Sequence, residues 1–105
     1  MSKAIYVTKD NLESVVKDST VPVLLDFYAD YCGPCRMLKP IIESMAESFG
    51  DTVKVVIVDV DENAELIERF GLTSVPTLIV FKQGNETFRS NGLENLHKLK
   101  EALGV

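Results

Sequence analysis

Cys32 and Cys35 are the chain's two cysteines, separated by Gly33 and Pro34. Two thiols at that spacing can close to a disulfide and reopen, and a pair that does so reversibly carries two electrons. Two other chemistries share the spacing. Half of a zinc site would need further ligands, and the only other soft candidate is His97, which reads as a surface helix residue. A static staple across so short a loop removes little chain entropy and is unusual in a reducing compartment. Reversible exchange is the leading reading, and it calls for no metal and no cofactor held by the chain.

The pair's setting matters more than the spacing. Asp30-Tyr31-Cys32-Gly33-Pro34-Cys35-Arg36 follows an apolar run at residues 21–29 and opens a helical pattern at residues 34–49. Chemistry in open α/β sheets gathers outside the carboxyl ends of strands. Pro34 suits a first helical turn, where its missing donor costs nothing. Cys32 then falls at the N-cap, where its sulfur can accept first-turn N–H groups and lies at the positive end of the helix dipole. Both favour thiolate over thiol. Cys35, a turn further in, is expected to be covered, with Gly33 relieving crowding between the sulfurs. Cys32 is thus the expected attacking thiolate on a partner's disulfide, and Cys35 resolves the mixed disulfide.

Three further features surround the pair. Asp26 interrupts the apolar run and shares a strand face with Leu24 and Tyr28. Burial should raise its pKa, which suits it to exchange a proton with Cys35, directly or through a water. The alternative is a carboxylate satisfied by local hydrogen bonds. Val75-Pro76-Thr77 follows a turn at residues 71–74. A proline there that faced the cysteines would leave the Val75 backbone free to pair with an extended partner segment. Tyr31, Gly33, Pro34, Val75, Pro76 and Gly92 are candidates for a flat apolar rim that admits varied partners. Gly92 reads equally well as a helix-start turn, and Arg36 as a solvated first-turn residue.

The elements that must position these residues can be read from period and punctuation. Residues 5–7 form a short strand. Asp10 and Glu13 have capping-box spacing before a helix striped by Leu12, Val15 and Val16. Residues 21–29 are apolar on both faces, as in a central, doubly covered strand, with Pro22 at its start. Leu38, Ile41, Ile42, Met45 and Phe49 recur at helical spacing, Gly50 supplies a stop, and Pro40 predicts a kink. Residues 53–58 form a strand joined to the central one through a βαβ crossover. A helix spans 64–70. Strands at 77–81 and 87–90 flank residues 82–86, short enough to demand an antiparallel hairpin. Leu93, Leu96, Leu99 and Leu103 stripe a last helix. The sum is one domain, residues 1–105, of α/β class.

Composition narrows the function classes. The 105 residues carry 16 Asp and Glu against 11 Lys and Arg, a formal charge of −5. That balance, without any basic block, argues against a nucleic-acid surface. No apolar run is long enough to span a membrane, and Met1-Ser2-Lys3-Ala4-Ile5-Tyr6-Val7 turns polar too soon for a signal peptide. The expected compartment is the cytoplasm.

Together these residues resemble the thioredoxin family. The resemblance covers almost the whole chain. It rests on Asp26-Phe27-Tyr28-Ala29, Cys32-Gly33-Pro34-Cys35, Pro40, Asp59-Val60-Asp61, Val75-Pro76-Thr77, the turn at residues 81–84 and Gly92. It implies a thioredoxin-like fold: a central five-stranded mixed sheet in the order β1-β3-β2-β4-β5, flanked by four helices. It implies a cis Pro76 beside the disulfide, and re-reduction by a thioredoxin reductase that draws on NADPH. The clients it implies include peroxiredoxins, ribonucleotide reductase and methionine sulfoxide reductase. The chain departs from the family at three positions. Tyr28 and Tyr31 stand where tryptophans are usual, and Ile57 stands where many bacterial members carry a lysine. The first two bear on client range and reductase recognition. The third leaves Asp26 with no cation at that position. The resulting expectation is a monomeric general protein-disulfide reductase. A client-specific or isomerase-like domain is the alternative, and a thiol-independent interaction module a third class.

Overall fold

The run that is apolar on both faces becomes the middle of the sheet. A computed structural model describes residues 4–92 and 96–105 of the chain. Strand β2 (Val23–Tyr28) lies between β3 (Lys54–Asp59), parallel to it, and β4 (Thr77–Lys82), antiparallel. Strand β1 (Ile5–Tyr6) adds in parallel outside β3, and β5 (Asn85–Ser90) in antiparallel outside β4. The order is β1-β3-β2-β4-β5, as the resemblance implies.

Alternation along the strands divides the core in two. Leu25 and Phe27 join Val56, Val58, Ile79 and Phe81 on one face, packed against Leu12 and Val16 of α1 (Leu12–Lys17) and Leu66 of α3 (Glu65–Arg69). Leu24 joins Val55, Ile57, Leu78 and Val80 on the other. Here Leu38, Ile42 and Met45 of α2 (Gly33–Phe49) cover the sheet, with Leu99 and Leu103 of α4 (Leu96–Leu103) beside them. Asp26, by period, falls on the α2 face. A 3-10 turn, Gly50–Thr52, separates α2 from β3.

Three local expectations change. The capping box lies two residues earlier than its sequence signature suggested. Thr8 Oγ1 accepts from the Asp10 N–H at 3.3 Å and Asn11 Oδ1 accepts from the Thr8 N–H at 2.8 Å, the reciprocal pattern that ties a helix start. Glu13 instead bonds outward, to Lys17 at 2.9 Å and Arg69 at 2.9 Å. The hairpin loop shrinks from five residues to two, Gln83 and Gly84, both left-handed (φ 53° and 81°). Such a pair matches the twist of the strands it joins, and a register shift at Val80/Phe81 absorbs the difference. Ile41, placed in the core stripe, is 43% exposed, because Leu38, Ile42 and Met45 already fill the line facing the sheet. Pro40 lies inside helix α2, as expected, with helix on both sides of it. Leu93, the Leu96 side chain and the first three residues lie outside the described residues.

Helix α3 ends in a Schellman motif. Leu72 N–H donates to the Ile67 carbonyl at 2.8 Å and Gly71 N–H to that of Glu68 at 3.2 Å, which turns the chain sharply toward residues 74–76.

The neighbours Ile41 and Ile42 provide a test of this packing. Ile42→Ala should lower unfolding stability by about 2–5 kcal/mol in chemical denaturation, and Ile41→Ala by less than about 1 kcal/mol.

Candidate active site

Only residues 29–32 separate the end of β2 from the start of α2, and that turn carries Cys32. The Cys32 N–H donates to the Ala29 carbonyl at 3.1 Å, and its own carbonyl accepts the first helical bond from the Arg36 N–H at 3.1 Å. Cys32 is therefore the N-cap of α2, with Pro34 in the first turn as expected. Its Sγ accepts the Cys35 N–H at 3.2 Å. An orphan donor at the positive end of a helix thus points at the sulfur, an arrangement that favours negative charge there.

Both cysteines are free thiols, but their surroundings differ. Cys32 is half-buried, whereas Cys35 is 2% exposed. Burial pushes the Cys35 thiol up to about 12, reinforced by its hydrogen bond to Cys32 and by the nearby charges of Cys32 and Asp26, and partly opposed by a backbone hydrogen bond from Ala29. One thiol is reachable and caps the helix start. The other is sheltered and held protonated.

Asp26 is 2% exposed, and its Oδ1 has no hydrogen-bond partner among the described residues. Its β2 register sets it between Ile57 of β3 and Leu78 of β4, both aliphatic. Burial lifts its carboxyl from 3.8 to about 7, the direction expected when desolvation disfavours the charged form. The locally satisfied carboxylate weighed above is not what the structure has at Oδ1.

The Val75–Pro76 peptide is cis, as the resemblance implies. The Val75 carbonyl lies 3.6 Å from Cys32 Sγ, which donates to it. Thr77 Oγ1 pins this loop by donating to the Ser74 carbonyl at 2.7 Å, and Ser90 Oγ pins the next by donating to the Gly92 carbonyl at 2.9 Å.

The expected flat rim is in part a groove. Pro34, Pro76 and Gly92 come together with Met37, Leu38 and Ile41 around a space of about 250 Å3. Gly92, at φ 92°, holds a backbone shape that side chains disfavour, and a Cβ there would meet Pro76 Cγ at 3.9 Å. Tyr31 is 73% exposed and lies outside this groove, as do Gly33 and Val75. Met37 and Ile41 escaped the sequence reading as site residues. Their signal was a second apolar line at positions 37 and 41, beside the one at 38 and 42. Lys39 was also unanticipated: its Nζ lies 5.5 Å from the Tyr6 ring centre and 6.0 Å from that of Tyr28. Burial, with the charges of Asp59 and Asp30, pushes the Tyr28 phenol up to about 12. His97 is exposed and pairs with Glu101 at 3.3 Å, apart from the cysteine chemistry. Among the described residues, no group of three His, Cys, Asp or Glu side chains is placed to hold a metal ion. Among the same residues, no helix is long and apolar enough to cross a membrane.

Known proteins match this arrangement along nearly the whole chain. The family model described as thioredoxin matches residues 3–104. Thioredoxin 1 of Synechococcus elongatus is 45% identical over 84 residues, 80% of this chain and 78% of that protein. Thioredoxin of Rickettsia bellii is 41% identical over 95 residues, 90% of each. A solved structure of a mutant thioredoxin from Halobacterium salinarum superposes with a TM-score of 0.83 at 39% identity, over 96% of this chain and 88% of that one. With its dithiol at a helix start beside a cis-proline, the chain belongs to the thioredoxin family, protein-disulfide oxidoreductases that act on disulfide-bearing clients and are re-reduced by a thioredoxin reductase.

Proposed function

We propose that the chain works as a single-domain general protein-disulfide reductase, with Cys32 as nucleophile and Cys35 as resolving thiol. The observation that carries this reading is the Cys35 N–H held 3.2 Å from Cys32 Sγ at the start of α2, while Cys35 itself is buried.

The Cys32 thiolate attacks one sulfur of a client disulfide. A Cys32–client bond forms, the client's S–S bond breaks, and the departing thiolate takes a proton from solvent. Ionised Cys32 no longer donates to the Val75 carbonyl, so that acceptor becomes available to an extended client backbone. Cys35 then gives up its proton and attacks Cys32 Sγ. The Cys32–Cys35 bond forms, the second client thiolate leaves, and the client is reduced by two electrons. With the Cys35 thiol pushed up to about 12, this second step needs a base. Asp26, titrating near 7 on the sheet face that α2 covers, is suited to accept the proton. A thioredoxin reductase returns the pair to the dithiol, with NADPH as the distant electron source. Gly33 and Pro34 shape the turn, and Tyr31, Val75, Pro76 and Gly92 form the surface on which clients rest. The proposed setting is a cytoplasmic monomer serving clients such as peroxiredoxins, ribonucleotide reductase and methionine sulfoxide reductase.

Disulfide reduction of insulin with dithiothreitol should be lost in C32S, while C35S should accumulate mixed disulfides that mass spectrometry identifies. Equal activity of both variants and the wild type would remove the reading. In Asp26→Asn, resolution of the mixed disulfide, followed by rapid quench, should slow at least about tenfold at pH 8. The wild-type rate should rise through about pH 7, and this variant should lose that rise. An unchanged profile between pH 6 and 9 would remove the proton role.

The same carboxyl links pH to stability. Its folded pKa, about 7, lies above the unfolded value near 3.8, so between those values the folded chain holds more protons than the unfolded one. Stability contributed by this group is full below about pH 4, falls as pH rises to about 7, and then levels off. Asp26→Asn should therefore match the wild type near pH 4 and exceed it at pH 8 by up to about 4 kcal/mol, read by denaturant titration at each pH.

A further inference from the structure

Arg89 makes a connection that the exchange chemistry above leaves unexplained. It sits on β5 opposite Ile79 of β4, on the sheet face that α3 covers. Residues three apart on a regular strand point to opposite faces. Glu86 and Arg89 share one face because the register shift at Val80/Phe81 makes Thr87 an extra residue: Phe81 lies opposite Glu86, and Val80 opposite Phe88. The bulge thus lets one carboxylate grip the guanidinium with both oxygens. Arg89 Nε donates to Glu86 Oε2 at 2.9 Å and Nη2 to Oε1 at 2.9 Å. Held in this way, Arg89 donates from Nη1 to the Phe70 carbonyl at 2.8 Å.

Phe70 is the C-cap of α3, where carbonyls lack partners inside the helix and a cation is favoured. The chain turns from there toward Val75, whose carbonyl lies 3.6 Å from Cys32 Sγ. Thr73 and Ser74, between them, are exposed. Gly71, Leu72 and Thr73 line, with Arg89 and Asn91, a space of about 370 Å3. Room of that size beside a loop lets it shift unless both its ends are fixed. Thr77 Oγ1 fixes one end, through the Ser74 carbonyl at 2.7 Å. Arg89 fixes the other.

We propose that Arg89 is a positioning residue for disulfide exchange. It holds the end of α3, and so sets where the loop at residues 71–76 presents the Val75 backbone to a client held on Cys32. This inference rests on the disulfide-exchange reading above. Arg89 touches neither client nor sulfur. It governs how well an extended client pairs with Val75, and a disulfide without a peptide backbone does not feel it.

The test compares two substrates in single turnover with the fully reduced protein. One is a short extended peptide whose central cysteine is in mixed disulfide with thionitrobenzoate. The other is dithiobis(nitrobenzoate), which has the same leaving group and no backbone. Arg89→Met keeps the length of the side chain and removes its donors. In this variant release of thionitrobenzoate from the peptide should slow about tenfold, as expected for a slightly misplaced binding group, while release from the other substrate changes less than about twofold. Arg89→Lys, which can still donate to the Phe70 carbonyl, should recover most of the peptide rate. Glu86→Gln weakens the grip without touching Phe70, should slow the peptide about threefold, and decides the matter if Arg89→Met does not fold. Equal slowing of both substrates would assign Arg89 to folding alone, and unchanged rates in every variant would deny it any part in exchange; either result overturns the inference and leaves the reductase reading standing. A wild type that releases thionitrobenzoate from neither substrate would remove both.

Discussion

A single hydrogen bond, from the Cys35 N–H to Cys32 Sγ, is the contact around which this molecule is arranged. It exists only if residue 32 closes the helix start, which requires β2 to stop and α2 to begin with only residues 29–32 between them. Cys35 then cannot be equivalent to Cys32. The turn that points its N–H outward to the neighbouring sulfur carries its own side chain inward against the sheet. Two chemically identical thiols thus differ first because the backbone leaves one half-buried and the other buried.

The sheet supplies the second condition. Asp26 is flanked in register by Ile57 and Leu78, so its carboxyl has aliphatic neighbours on both sides. Leaving Oδ1 unpartnered in such a place lowers stability. The aliphatic core on both faces of β2 is large enough to offset that loss. Burial raises the carboxyl, and Ile57, opposite it in register, brings no cation.

Much of this was legible in the sequence, for reasons that also explain the rest. The double-sided apolarity of residues 21–29 announced a central strand, and the abrupt change of period after Cys32 announced the helix that it caps. Asp26 was conspicuous because a carboxylate breaks the strand's apolar pattern. The Thr8–Asn11 box was hidden because Asp10 and Glu13 have the same spacing two residues later, and only the surrounding turn decides between them. Gln83 in a left-handed turn position was hidden because glutamine carries no turn signal of its own. The hydrogen bond from Cys32 to Val75 joins residues 43 positions apart, and no local pattern reports such a meeting. Met37 and Ile41 were absorbed into an amphipathic helix, since periodicity marks apolar side chains without telling a line that is buried from one that is left open.

The antiparallel pairing of β2 with β4 sets the two ends of the sheet to separate uses. Val23, at the start of β2, lies opposite Phe81, so the Gln83–Gly84 turn projects from the end of the sheet remote from the thiols. That tip is exposed and carries no part of the reactive surface. It is where a tether, a fluorophore or a surface anchor can be attached with the reactive edge still facing outward.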